Sequence, residues 1–309
     1  MLRCSIILPT YNRMRTLPRA VASVLAQDET NFELIVVDDA STDETEAWLR
    51  EQTDPRLRVL RSNRNGGPSA ARKLGIDAAR GPVLAFLDSD DVYRPNRLSV
   101  PLRALADDAE IVCTLSSAIK TDPKRTRTID LPDVKLASAV FEWALFCDLI
   151  GVEGTSITVR TDVARASGGF CTALRRTEDR EFLIRVAPLG AVRVLPDVLW
   201  EKGWSDDSLS NAWSTAGRDL VSYVAQRPEY LTRFRKLGSY LATKILVADL
   251  RRTDLPTFFA DVRQFRAAGL LSAGITALWR DHREVKRYRK AMSRREALTS
   301  LTGPPRSWA

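Results

Sequence analysis

Only one histidine, His282, occurs among the 309 residues. A His-based catalytic triad or a multi-His metal centre is therefore excluded within this chain. The four cysteines, Cys4, Cys113, Cys147 and Cys171, are scattered and form no C-x-x-C pair. That argues against a zinc ribbon or a redox motif and favours a reducing, cytoplasmic setting. No apolar run reaches the ~20 residues that a membrane-spanning helix needs. Residues 137–152 are broken by Glu142 and Asp148, and residues 269–279 are too few. The N-terminal apolar run ends at once in Pro9-Thr10-Tyr11-Asn12, with no small-residue cleavage site of a signal peptide. Neither G-x-G-x-x-G nor G-x-x-x-x-G-K-[ST] occurs, which disfavours a Rossmann dehydrogenase and a P-loop enzyme.

What is present reads as a globular chain: 44% hydrophobic, 28% charged, with 15 Gly and 15 Pro. The length suits one large α/β domain with an appendage, or two modest domains. The net charge of +8 is unevenly placed. Residues 1–249 hold 34 charges of each sign, and residues 250–309 hold 13 basic against 5 acidic. The body is neutral and the tail cationic. Such a tail fits either an anionic partner or a solvated basic face on a helical appendage.

Residues 4–8, 32–37, 57–60 and 83–87 read as strands separated by helical stretches, and this alternation predicts a parallel, doubly wound sheet. Ser41-Thr42-Asp43-Glu44 reads as a capping box, and Pro95 as the opening of a further helix. Residues 110–114, 156–160 and 191–195 read as further strands, 120–135 as a polar loop, and the chain beyond about 210 as helices at 220–225, 231–250, 258–271 and 275–292. In doubly wound sheets ligands sit beyond the carboxyl ends of the strands. Three places qualify: after Leu8, after Val37 and after Leu87. The last carries Asp88-Ser89-Asp90-Asp91. On an extended segment Asp88 and Asp90 share a face, and two carboxylates so close favour a shared divalent cation; an acidic helix cap is the ordinary alternative. Asp38-Asp39 could accept from a base imide or a ribose hydroxyl, or simply cap a helix. Tyr11 could stack on a base. The Gly66-Gly67 turn offers amides to an anion, with Arg64, Arg72 and Lys73 beside it. Glu178-Asp179 opens a helix, where the dipole favours carboxylates. Trp200, Trp204 and Trp213 read either as a sugar-stacking lid or as core anchors.

In this order, residues 5–12 (SIILPTYN), 32–43 (FELIVVDDASTD), 65–72 (NGGPSAAR), 86–97 (FLDSDDVYRPNR), Gly168-Gly169-Phe170 and 178–185 (EDREFLIR) resemble family 2 of the inverting GT-A glycosyltransferases. The resemblance implies a GT-A domain over 1–210 and a basic helical extension over 211–309. It implies a nucleotide-diphosphate sugar donor, uridine-based in the family's commonest case, and Mg²⁺ or Mn²⁺. Pro9, Tyr11 and Asp39 would form the nucleoside pocket. Asp88 would contact the ribose or, through water, the metal, and Asp90 would ligate the metal directly. Asp179 would be the acceptor-activating base with Glu178 beside it, and Arg72 and Lys73 would lie near the nucleotide or phosphates. Many relatives place a His in the loop before a Ser-x-Ser stretch. Residues 204–210 (WSDDSLS) contain none, leaving Asp206, Asp207 or water for that position. The expected role is transfer of a sugar to a sugar or lipid-linked acceptor in surface polysaccharide or glycoconjugate synthesis. Residues 250–309 are expected to touch an anionic membrane from the cytoplasmic side; no nucleic acid is expected, and a homo-oligomer is compatible. A nucleotidyltransferase would favour a Gly-rich, Arg/Lys-rich loop after the first strand, but residues 8–13 offer only Arg13. A non-catalytic sugar or anion binder is the other alternative.

Overall fold

The protein is described by a computed structural model. It places residues 1–122, 125–146, 150–174, 177–203, 221–222, 224–226 and 235–271, together with 283 and 286. The chain divides into two compact units, Met1–Phe141 with Ile150–Asp206, and Glu142–Leu149 with Asp207–Ala309.

The first unit is built on one mixed sheet. Strands β1 (Cys4–Thr10) and β2 (Phe32–Asp38) are buried along their whole length, as their nearly unbroken apolar sequence requires. They pair in parallel with each other, and β2 pairs in parallel with β3 (Leu57–Arg61). On its other side β1 pairs in parallel with β4 (Val83–Phe86). Helices α1 (Leu17–Leu25), α2 (Thr45–Arg50) and α3 (Pro68–Ala78) make the crossovers. Pro18 sits in the first turn of α1, where its missing N–H costs nothing.

Beyond β4 the sheet stops being parallel. After β5 (Val92–Tyr93) and α4 (Ser99–Asp107) the chain forms β6 (Ile111–Asp122), β7 (Arg125–Ile129), β8 (Val134–Leu136), helix α5 (Ser138–Phe146), β9 (Ile157–Arg160) and, after helices α6 (Thr161–Ala166) and α7 (Glu178–Val186), β10 (Ala191–Lys202). The strand order is β3-β2-β1-β4-β9-β6-β10-β5. Strand β9 is antiparallel to both β4 and β6, while β10 runs parallel to β6 and antiparallel to β5. The all-parallel expectation thus holds for β1–β4 and for the β6–β10 pair, and fails where β9 and β5 enter antiparallel. The stretch 120–135, read as a loop, contributes the end of β6, β7 and the start of β8. Its polarity misled because β7 is an edge strand, exposed over most of its length. The expected capping box does not form: Ser41 Oγ accepts from the Asn12 amide, and Asp43 Oδ1 accepts from the amide of Thr45. The helix expected to open at Pro95 starts only at Ser99.

The second unit contains helices α8 (Arg235–Arg251) and α9 (Leu255–Ala267), joined at a tight corner with Asp254 capping α9 through the Thr257 amide at 3.1 Å. Val224, Ala242, Phe265 and Leu270 form its core cluster. Of the expected helix 275–292 only Arg283 and Lys286 are described; the rest of it, with His282, Trp204, Trp213, Asp206 and Asp207, lies outside the described residues.

Candidate active site

Parallel pairing places the carboxyl ends of β1, β2 and β4 on one rim. Thr10 lies opposite Asp38, and Ile7 opposite Phe86. Pro9, Tyr11, Asp38, Asp39 and Asp88 therefore gather where the chain leaves the sheet. Tyr11 stands exposed there.

The two carboxylates after β2 differ. Asp38 is buried against Arg61 and also accepts from the Ser41 amide at 2.9 Å, so it holds the loop. Asp39 accepts from the amides of Gly66, at 3.0 Å, and Gly67, at 2.6 Å. The anion that the glycine turn meets in this structure is the Asp39 side chain. Gly67, at φ 84°, has the backbone conformation that glycine tolerates best.

Asp88-Ser89-Asp90-Asp91 folds as a turn, with the Asp91 amide donating to the Asp88 carbonyl at 3.0 Å. The extended geometry expected for Asp88 and Asp90 is replaced by this reversal, because the chain must fold back into β5. Thr155 holds the turn from both sides. Its Oγ1 accepts from the Asp88 amide at 3.1 Å and donates to Asp91 Oδ2 at 2.5 Å. Asp91 Oδ1 accepts from the Gly203 amide at 3.0 Å. Burial, and then the charges of Asp88 and Asp90, push the Asp91 carboxyl well above its ordinary range. Asp90 is half-buried, with its carbonyl against Gly203.

The rim meets α7 through Arg72. This α3 guanidinium is 3% exposed. It donates to Asp88 Oδ1 at 2.5 Å and to Glu178 Oε1 at 2.9 Å, and lies 3.6 Å from Asp179 Oδ1. Phe170 lies beneath it, 5.1 Å from ring centre to guanidinium carbon, stacked on Phe182. Gly168 and Gly169 turn at positive φ to deliver that ring. Arg72, expected near the donor's nucleotide or phosphates, joins three carboxylates. Burial disfavours its charge, but the three acids outweigh this and hold it protonated. Lys73 points elsewhere, to the Gly168 carbonyl at 3.4 Å and Asp77 at 4.0 Å.

Burial, and then the neighbouring Glu178, raise the Asp179 carboxyl well above the aspartate range; Arg72 only partly opposes this. Its Oδ1 is buried without a hydrogen-bond donor. A carboxylate desolvated in this way is a stronger proton acceptor than one in water. Glu178 is raised too, again first by burial.

Thr155, Gly154, Glu153 and Lys202 were not anticipated. A Cβ on Gly154 would lie 3.0 Å from Arg72 and 3.2 Å from Asp179, so the backbone there closes the site's floor. Lys202 pairs with Glu153, and that attraction, aided by Asp91 and Asp88, outweighs burial and raises its pKa. Only the position of Lys202 at the end of an apolar strand hinted at it. Trp200, by contrast, is 1% exposed in the core beside Tyr93, so it is an anchor and not a stacking surface. Packing of β10 across β5 decides this.

The sequence model of the family described as "Glycosyl transferase family 2" matches residues 5–175. The chain belongs to glycosyl transferase family 2. Its sheet has the GT-A arrangement, and the matched domain is a glycosyltransferase domain. Among family 2 relatives, the succinoglycan biosynthesis protein ExoO of Rhizobium meliloti is 38% identical over 147 residues, 45% of this chain and 42% of that protein. The putative colanic acid biosynthesis glycosyl transferase WcaA of Escherichia coli is 41% identical over 98 residues, 31% of this chain and 35% of that protein. The matches thus span less than half of these relatives. In fold the chain is similar to TarS 1–349 of S. aureus in complex with UDP-GlcNAc, at TM-score 0.63 and 19% identity, covering 96% of this chain and 90% of that one. It is also similar to the mannosyltransferase PcManGT of Pyrobaculum calidifontis in complex with GDP-Man and Mn²⁺, at TM-score 0.57 and 21% identity, covering 96% and 84%.

Among the described residues no three His, Cys, Asp or Glu side chains form a metal cage. A hard dication that keeps waters and phosphate oxygens needs only one or two carboxylates. The turn fits that need: it brings Asp88, Asp90 and Asp91 together, and their charges add to burial in raising Asp91.

Proposed function

We propose that this chain transfers a sugar, with inversion, from a nucleotide-diphosphate donor to a hydroxyl acceptor in polysaccharide or glycoconjugate synthesis. In this reading residues 1–210 carry the chemistry and 211–309 form a helical extension. The observation that carries it is the buried Arg72, which ties the acidic turn after β4 to the acidic start of α7. A donor seated at the turn would therefore have its sugar facing Asp179.

Pro9, Tyr11 and Asp39 receive the nucleoside. An ionised carboxylate offers about four acceptor sites, so Asp39 can take a base imide while holding the glycine turn. A uridine donor is supported by the relative named UDP-Glc:alpha-D-GlcNAc-diphosphoundecaprenol beta-1,3-glucosyltransferase WfgD, 39% identical over 98 residues, and by the UDP-GlcNAc bound to TarS. The WfgD name also supports a lipid-linked acceptor.

Asp90, with Asp88, would hold Mg²⁺ or Mn²⁺. When bound, such an ion supplies positive charge against that growing on the departing diphosphate. Thr155 and Gly203 hold the turn in place before substrate arrives, so little reorganisation is needed. Asp179 accepts the acceptor hydroxyl's proton as that oxygen attacks the anomeric carbon from the face opposite the diphosphate. Arg72 keeps Asp179 aligned and compensates the charge of Glu178. One displacement inverts the anomeric centre.

The test is release of nucleoside diphosphate from UDP-Glc, UDP-GlcNAc or GDP-Man by the purified chain with Mn²⁺. Release from at least one donor is expected, abolished by Asp90→Ala. Silence with all three, or full activity in Asp90→Ala, would overturn the reading.

A further inference from the structure

The charged and apolar surface of the α8–α9 hairpin is unusual for a solvated helix pair. Eight large apolar side chains stand exposed among the described residues, and three of them fall within ten consecutive positions here: Leu250 at 48%, Leu255 at 51% and Phe259 at 59%. Leu255 and Phe259 are four apart on α9 and so share a face. Leu250 ends the facing helix, across a corner fixed by the Asp254 amide donating to the Asp249 carbonyl at 3.1 Å.

Among the described residues the charges around this tip are predominantly cationic. Between residues 242 and 271 every exposed ionisable side chain is cationic: Lys244, Arg251, Arg252, Arg263 and Arg266. Two of the three acids are withdrawn, and the third is half-buried. Asp249 and Asp261 are buried, and Asp254 is occupied as the cap of α9. No described helix is long and apolar enough to cross a membrane.

We propose that the tip of this hairpin docks on an anionic lipid surface, with Leu250, Leu255 and Phe259 entering the headgroup boundary and Arg251 and Arg252 meeting lipid phosphates. Apolar side chains flanked by arginines match that boundary, where hydrocarbon and negative charge lie a few ångströms apart. A second copy of the chain would set arginine against arginine. A nucleic acid would use the arginines and Phe259 but gain nothing from the two exposed leucines, which cannot stack on bases. The inference stands independently of the proposed transfer reaction.

Co-flotation of the full 309-residue chain with vesicles tests it. Binding is expected to phosphatidylcholine vesicles containing roughly one third phosphatidylglycerol, lost at high salt, and not to phosphatidylcholine alone. Leu250→Ser/Leu255→Ser/Phe259→Ser is expected to melt as the parent does and to bind about tenfold more weakly or worse. If that variant melts lower, Arg251→Glu/Arg252→Glu, which keeps the apolar groups, decides by the same criterion. The proposal is overturned if the parent does not float at low salt, or if the correctly folded variants float as well as it does. It is equally overturned if light scattering shows a dimer that the triple variant dissolves without lipid, or if duplex DNA binds as tightly as the anionic vesicles do.

Discussion

Arg72 does more for the site than any other single residue. Its guanidinium pairs with both Asp88 and Glu178 while lying 3.6 Å from Asp179. Removing one partner of a buried ion cluster costs roughly 3–5 kcal/mol, because the remaining charges stay desolvated and unpaired. Arg72→Met is therefore expected to lower unfolding free energy by about that much in urea. Arg72→Lys should restore part of the stability but not the two-armed geometry, leaving turnover well below the parent at temperatures where both are folded. Equal turnover in parent and Arg72→Lys would remove Arg72 from the mechanism. Asp179 makes a pH prediction. Its carboxyl is raised, first by burial and then by Glu178, and the base we propose it to be must be ionised to act. Activity should fall as pH drops through that raised value, so the acid limb of kcat/KM lies clearly above the ordinary aspartate value of about 3.9. A limb at the ordinary value, or its persistence in Asp179→Asn, would contradict the assignment. Of these residues, Asp88, Asp90, Glu178 and Asp179 stood out in the sequence as carboxylates at element boundaries. The partner of Arg72 could not be read, because 106 positions separate it from Glu178.

At the scale of elements, the site depends on segments that carry no chemistry of their own. The turn Gly154–Ser156 supplies Thr155, which grips the acidic turn, and the end of β10 brings Gly203 against Asp90. A Cβ at position 203 would overlap the Asp90 carbonyl oxygen. Gly203→Ala should therefore displace Asp90 and raise the Mn²⁺ concentration needed for half-maximal donor turnover about tenfold, with a smaller change in melting temperature. An unchanged Mn²⁺ requirement would show that the turn tolerates the shift. Glu33 illustrates a purely structural acid on a core strand. Burial alone would raise its carboxyl, but hydrogen bonds from Ser5 at 2.6 Å and the Arg80 amide at 2.7 Å, with Arg58, hold it below the ordinary range. Its folded value lies below its unfolded one, so its stabilisation is full above the ordinary glutamate value of about 4.3 and fades as pH falls. Glu33→Gln should cost roughly 1–3 kcal/mol at neutral pH and flatten the acid side of the stability curve. A variant as stable as the parent at neutral pH would mean these hydrogen bonds contribute nothing net.

For the whole molecule, ligand and metal should stabilise together, since the proposed reading seats the ion and the donor's diphosphate at one acidic turn. UDP with Mn²⁺ is expected to raise the melting temperature more than the sum of either alone, and Asp90→Ala should remove that cooperativity. Additive shifts would place the ion and the nucleotide at unrelated sites. Periodicity and element ends made the parallel half of the sheet and its acidic rim readable in the sequence, because a buried strand must be apolar and polar residues must wait at its end. The sequence did not reveal the mixed half of the sheet: the polarity of an edge strand such as β7 is that of a loop. Nor did it tell Trp200 in the core from a tryptophan on a surface. The tertiary structure alone decided that Asp39 answers the glycine turn and that Arg72 serves three acids. Those pairings are set by which side chains share a desolvated space, and chain order carries no record of that.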